Sequence, residues 1–172
     1  YAKGVALQGA SPSLCTVGGN PVANKIGDIM GVKVNAQEVM VAYVKCNGDC
    51  TKAKDKYEYL GILDCVSAAA LPGGGAKSCT YGCLGLGTCV GVCEFDAIII
   101  RDGIAIIDEN KCTNCGACIK ACPKNIIESV PLNSRVRVAC NSLDSARDIM
   151  QNCEVGCIAC KKCEKACEYD AI

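Results

Sequence analysis

An α+β fold assembled from small cysteine-lined modules is the prediction, and three observations carry it. Residues 112–123 read Cys-Thr-Asn-Cys-Gly-Ala-Cys-Ile-Lys-Ala-Cys-Pro, a C-x2-C-x2-C-x3-C-P run. Asp102-Gly103 separates the apolar runs Ile98–Ile100 and Ile104–Ile107, the strongest short hairpin signal. Finally, Gly82-Cys83-x5-Cys89-x3-Cys93-Glu-Phe-Asp-Ala-Ile98 returns as Gly156-Cys157-x5-Cys163-x3-Cys167-Glu-Tyr-Asp-Ala-Ile172, an internal duplication.

Composition narrows the chemistry. The chain has 172 residues, 18 of them Cys, with 18 basic against 18 acidic residues and neither His nor Trp. C-x2-C-x2-C triplets do not satisfy disulfide geometry, so we read the thiols as metal ligands in a reducing compartment. Without His there is no Cys2His2 zinc site, no Rieske centre and no usual general base. One Phe and six Tyr leave few large side chains for a core, which bound metal clusters would then help to hold. No basic stripe with interleaved aromatics points to nucleic acid. No run of 18 apolar residues spans a membrane. The sequence begins at Tyr1 rather than Met, so an anchor upstream stays open.

The elements follow in order. Cys15-Thr-Val-Gly-Gly is a lone thiol in a glycine-rich turn; Asn20-Pro21 starts a helix that Gly31 stops, with Val22, Ile26, Ile29 and Met30 on one face expected to pack into a core. Val39–Val44 reads as a strand leading into Cys46-Asn-Gly-Asp-Cys50. The lysine-rich stretch Lys52–Tyr59 is expected to be a solvated face, and Leu71-Pro-Gly-Gly-Gly a flexible loop or boundary after Cys65. From Cys79 the order of cysteine loop, hairpin and cysteine loop is that of the βαββαβ ferredoxin fold. The duplication also pairs Val44-Lys-Cys46-Asn with Val138-Ala-Cys140-Asn, and Cys79 with Cys153. We therefore expect ferredoxin-like modules in tandem behind a small helical iron–sulfur segment: 1–35 ending an N-terminal module, 36–78 a connecting region, 79–131 a two-cluster domain and 132–172 the start of a second.

In two-cluster ferredoxins each loop gives three thiolates to its own 4Fe-4S cubane and the fourth to the other. Cys112, Cys115 and Cys118 should therefore join Cys93, while Cys122 crosses to Cys83 and Cys89. That second set lacks its middle ligand, since Leu86 stands where Cys is expected. Cys79 is the natural replacement, giving Cys79, Cys83, Cys89 and Cys122. The alternative groups Cys79 with Cys46, Cys50 and Cys65. Cys157, Cys160 and Cys163 form a third set and Cys167 serves a further cluster; either Cys140 or Cys153 completes the third set or the chain continues into another cubane loop, the expectation we adopt. Structural zinc also takes four thiolates, usually as two C-x2-C knuckles, and stays open for Cys46, Cys50 and Cys65.

The run Gly73-Gly74-Gly75-Ala-Lys77-Ser-Cys79-Thr-Tyr-Gly-Cys83-Leu-Gly-Leu-Gly-Thr-Cys89-Val, with Val136-Arg-Val-Ala-Cys140-Asn-Ser and Cys153-Glu-Val-Gly-Cys157-Ile, resembles the B subunit of the Rnf complex in its long clostridial form. The resemblance implies a ferredoxin-like electron carrier with several 4Fe-4S clusters. It would take single electrons from reduced soluble ferredoxin into a membrane-bound ferredoxin:NAD+ oxidoreductase that pumps sodium ions or protons. It also implies partner subunits, a place at the cytoplasmic face of the cell membrane, and no catalytic side chains of the chain's own. In that family Cys15 matches the last ligand of an N-terminal cluster, apart from Val17 where Pro is usual; the other three ligands would precede Tyr1. Glu94 and Glu168 replace a common Pro, adding negative charge beside a cluster and lowering its potential. A free soluble polyferredoxin and an iron–sulfur subunit of another anaerobic redox enzyme are the alternatives.

Overall fold

The computed structural model describes residues 1–35 and 37–169. Ala36, at the head of the expected connecting region, and Asp170–Ile172, the end of the repeat's second copy, lie outside the described residues. The architecture is a small mixed α/β unit. Helix α1 (Ala2–Gln8) and a 3-10 turn (Pro12–Leu14) lead to α2 (Gly19–Met30). Then come β1 (Met40–Val44), α3 (Cys65–Ala69), α4 (Thr88–Gly91), β2 (Ile98–Arg101), β3 (Ile104–Ile107), α5 (Ala117–Ala121), β4 (Ile127–Pro131), α6 (Ala146–Asn152) and α7 (Lys162–Ala166).

Two antiparallel ribbons frame the centre. Strands β2 and β3 pair in register from Ile98–Ile107 to Arg101–Ile104. Their turn residues Asp102 and Gly103 both have positive φ (50° and 74°), as the primed hairpin turn requires. Strand β1 pairs with β4, Met40 opposite Pro131 and Val44 opposite Ile127. This pairing joins the strand before Cys46 to the strand that follows Cys122. The boundary expected at 79, where the order of cysteine loop and hairpin begins, therefore falls between two paired strands.

The core lies between the ribbons and is built of Ala42, Val44, Ile98, Ala105, Ile126 and Ile127 together with Cys83, Cys89 and Cys118. Val41 is fully buried and Ile126 nearly so. Arg137 fastens the segment after β4: its guanidinium lies 5.0 Å from the Tyr43 ring centroid, pairs with Glu109 at 2.5 Å and donates to the Pro131 carbonyl at 3.0 Å.

Helix α2 differs from expectation. Its buried residues are Ala23 and Gly27, and Ile29 is 82% exposed. A Cβ on Gly27 would meet Val34 Cγ2 at 2.5 Å, so small residues let the following segment close on the helix, while Val22, Ile29 and Met30 of the apolar stripe are exposed and Ile26 is half-buried. Asn20 ties the helix start to the approach to β1, accepting from Gln37 N and donating to Gln37 O, both at 2.9 Å.

The lysine-rich segment and the triple glycine are also more tied down than expected. Lys54 N donates to Asn152 O at 2.9 Å and Glu154 N to Lys52 O at 2.9 Å; Ser78 N donates to Lys54 O at 2.8 Å and Lys56 N to Ala76 O at 2.7 Å. Residues 52–56 thus form an extended strap between 76–78 and 152–154. Lys56 Nζ donates to Gly73 O at 2.9 Å, and Lys124 Nζ to the Gly74 and Thr80 carbonyls.

Candidate metal centres

Three stretches share one backbone signature. In Cys112–Cys118 the second and fourth residues after the first Cys, Asn114 and Gly116, have φ of 53° and 82°. In Cys83–Cys89 they are Gly85 and Gly87, at 69° and 84°, and in Cys157–Cys163 they are Ala159 and Lys161, at 52° and 58°. A short helix begins one residue after the second of these in each loop: α5 at Ala117, α4 at Thr88 and α7 at Lys162. Left-handed backbone costs roughly 1–2 kcal/mol per non-glycine residue, so its recurrence at Ala159 and Lys161 marks a conformation the loop requires. The conformation curls the chain, and in the Cys112 and Cys83 loops it sets the cysteines along one cavity each. The Cys83 loop keeps this curl although Leu86 fills the middle ligand position.

Cys93, Cys112, Cys115 and Cys118 line a single cavity with Ala42 and Phe95. The structure brings together all four residues expected from the spacing. Ala42 N donates to Cys112 Sγ at 3.3 Å, the kind of N–H to sulfur contact that tunes a cluster. Thr113 Oγ1, at this cavity, is buried with no hydrogen-bond partner. A sulfide-bearing group would give that hydroxyl an acceptor. Burial first, and then the neighbouring Cys112 and Cys115, push the Cys118 thiol up, so metal charge must compensate for its ionisation.

Cys83, Cys89 and Cys122 line a second cavity, and its fourth cysteine is Cys65. The structure does not bring Cys79 to this cavity; it lines a different one with Cys46, Cys140 and Cys153. The cause is a tie between distant helix starts: Cys65 N donates to Thr88 Oγ1 at 2.7 Å, and that hydroxyl donates to Asp64 Oδ1 at 2.8 Å. Asp64 also caps α3 through Ser67 N at 2.7 Å. The start of α3 is thereby fixed beside the start of α4 and Cys89. Ala105 N donates to Cys83 Sγ at 3.4 Å. Burial, with Cys83, Cys65, Cys122 and Cys118 close by, pushes Cys89 up to about 12.

The tie is sensitive to acid. The Asp64 carboxyl is held below its ordinary value of 3.8, first by the Ser67 N–H and then by the Thr88 hydroxyl. A depressed folded value means the contribution is present above the unfolded value and is lost as pH falls through the folded one. Asp64→Ala should therefore mimic acidification and loosen α3. The expected result is faster alkylation of Cys65 in cluster-free protein at neutral pH, with Cys112 unaffected; equal rates before and after substitution would contradict the tie.

The remaining expected ligands fall into three groups. Cys15 accepts from Gly18 N at 3.4 Å and faces a cavity it shares with Cys112–Asn114. Cys157, Cys160 and Cys163 are exposed and Cys167 half-buried. Cys140 and Cys153 do not join them. Cys50 is exposed beside Leu86 and Gly103, and the structure brings it to none of the three four-cysteine sets above. Among the described residues no three Cys, Asp or Glu side chains converge to hold one ion. The thiols stand around cavities, an arrangement suited to a polynuclear group rather than to a single zinc bonded at roughly 2.3 Å.

Comparisons with known proteins agree with this donor chemistry. The 4Fe-4S binding domain family matches residues 105–128. The chain is similar to the B subunit of the Na(+)-translocating ferredoxin:NAD(+) oxidoreductase complex of Acetobacterium woodii, at 44% identity over 95% of this chain and 49% of the relative. It is 42% identical to the B subunit of the ion-translocating oxidoreductase complex of Methanosarcina acetivorans, over 99% of this chain and 65% of that one. It is 45% identical to the B subunit of the proton-translocating ferredoxin:NAD(+) oxidoreductase complex of Clostridium ljungdahlii, over 91% and 56%. The chain thus spans about half to two thirds of the length of these relatives.

Proposed function

We propose that this chain is an iron–sulfur electron-transfer subunit of an ion-translocating ferredoxin:NAD+ oxidoreductase complex, a reading supported by its similarity to the B subunits of such complexes. The observation that carries the reading is the pair of four-cysteine cavities, Cys93/Cys112/Cys115/Cys118 and Cys65/Cys83/Cys89/Cys122, set around one hairpin-centred core. Bound 4Fe-4S clusters supply one-electron redox chemistry. The chain's own residues do the rest. Cysteine thiolates hold, and the Ala42 and Ala105 N–H groups stabilise sulfur charge. Ala42, Val44, Ile98 and Ile126 exclude water from the cavities.

In this reading reduced ferredoxin is the donor, other subunits of the complex are the acceptors, and the chain works at the cytoplasmic face of the cell membrane as part of a translocase. Among the described residues no helix is long and apolar enough to cross a membrane. The loop Cys157–Cys163, exposed and shaped like the other two, receives the electrons, and residues 132–172 belong to a second ferredoxin-like module. Cys15, facing Cys112–Asn114, belongs to a further cluster on the other side of the core. Stopped-flow mixing of the anaerobically purified protein with reduced ferredoxin tests this. Rapid bleaching is expected, slowed at least tenfold when Cys157, Cys160 and Cys163 are changed together to serine. Unchanged rates in that variant would remove the loop from the donor role, and no reduction of the unmodified protein would remove ferredoxin.

A further inference from the structure

We propose that Cys46, Cys79, Cys140 and Cys153 form an additional 4Fe-4S site, built at the seam between the two copies of the internal repeat. The inference rests on the iron–sulfur reading above and extends it to thiols that no spacing rule connects. The four cysteines line one cavity. They are also two echoed pairs: Cys46 and Cys140 each follow Val-x and precede Asn, while Cys79 and Cys153 each stand three residues before a Gly-Cys pair. A duplicated half-site placed against its copy yields four donors where each half alone has two.

The backbone shows how the halves meet. Cys46 and Cys140 face each other in an antiparallel bridge, and Ala53 bridges to Cys153. The strap 52–56 carries Cys153 on one edge and the segment before Cys79 on the other, through the hydrogen bonds of Lys54 to Asn152 and of Ser78 to Lys54. All four thiols are thus fixed by main-chain pairing rather than by side-chain packing.

The surroundings fit a cubane. A Cβ on Gly48 would stand 3.1 Å from Cys153 Sγ and 3.8 Å from Cys46 Sγ, and one on Gly82 would stand 3.7 Å from Cys79 Sγ. Bare backbone therefore approaches thiols of both copies, leaving room that a side chain would fill. Cys83 N donates to Cys46 Sγ at 3.4 Å. Since Cys83 lines the second cavity, the new site abuts that one. Lys77, only 7% exposed, lines the cavity and its Nζ donates to Gly48 O at 2.5 Å and to Gly103 O at 3.3 Å. A buried ammonium is costly without negative charge nearby, and four thiolates on iron supply more of it than Asp144, the one carboxylate of the lining.

Two measurements on the full chain test this. In anaerobically purified holoprotein, iodoacetamide followed by peptide mass spectrometry should leave Cys46, Cys79, Cys140 and Cys153 unlabelled while Cys50 reacts, and iron chelation should expose all four together. Labelling of these four at the rate of Cys50, with the Cys112 set still protected, would overturn the inference and leave the wider reading standing; labelling of both sets would sink the wider reading itself. In the second measurement, Cys140→Ser/Cys153→Ser should lower iron and acid-labile sulfide by about four each per chain, with absorption and EPR of the remaining clusters retained. Loss of zinc without sulfide, or no loss of either, would overturn it.

Discussion

Replacing Cys65 by alanine empties the cavity of Cys83, Cys89 and Cys122 of a complete cubane, whereas replacing Cys79 by alanine leaves that cavity filled. The first substitution removes one of four thiolates that line the site. The second removes a thiol that lines another cavity. A cubane missing one protein ligand sheds its exposed iron or dissociates, so Cys65→Ala should lower iron and sulfide by up to about four each per chain. It should also leave a three-iron EPR signal where the remnant persists. In the Cys79→Ala holoprotein, iodoacetamide should still leave Cys65, Cys83, Cys89 and Cys122 unlabelled, whatever iron and sulfide the neighbouring cavity of Cys46, Cys140 and Cys153 loses. The reverse pattern would mean that the curl of the Cys83 loop opens toward Cys79, against the Asp64–Thr88 tie that holds Cys65 in place.

Gly85→Ala is expected to be the most destabilising single methyl that can be added near a cluster loop. Gly85 has φ of +69°, and a Cβ there would collide with Gly103 O and lie 2.6 Å from Gly103 C. Both atoms belong to the hairpin turn and cannot rotate away. Left-handed strain of roughly 1–2 kcal/mol and overpacking of roughly 1–3 kcal/mol together give a loss of about 2–5 kcal/mol. Gly91→Ala is the control: nothing lies within 4 Å of its Cβ position and its φ is not positive, so the change should stay within roughly 1 kcal/mol of neutral. Thermal unfolding followed by far-UV circular dichroism separates the two. A Gly85→Ala protein as stable as the Gly91→Ala control would show that the loop and hairpin do not pack as described.

What the sequence disclosed and what it hid divide along local and non-local lines. The Asp102-Gly103 turn, strand β1 and the Cys112 run obey short-range rules, and each stands where those rules put it, Cys93 included. Cys65 obeys none. Its position depends on hydrogen bonds to Thr88 across 23 residues, and the only sequence signal was the gap left by Leu86. Strand β4 and its pairing with β1 were similarly out of reach, because nothing near Ile127 names Met40–Val44 as a partner. Helix α2 was misread for a different reason: the pattern rule assumes that the largest apolar residues face inward, while Ala23 and Gly27 do so here to admit Val34. The echoed cysteines were visible as a repeat, yet a repeat states that two half-sites exist and not that they face one another.

Iron and acid-labile sulfide, measured together on anaerobically purified protein, test the central claim that these cysteine cavities hold 4Fe-4S clusters. The account predicts equal amounts of the two, at least about eight of each per chain for the two cavities of the core, with a visible absorption that bleaches on reduction. Zinc without sulfide, or iron without sulfide, would contradict it.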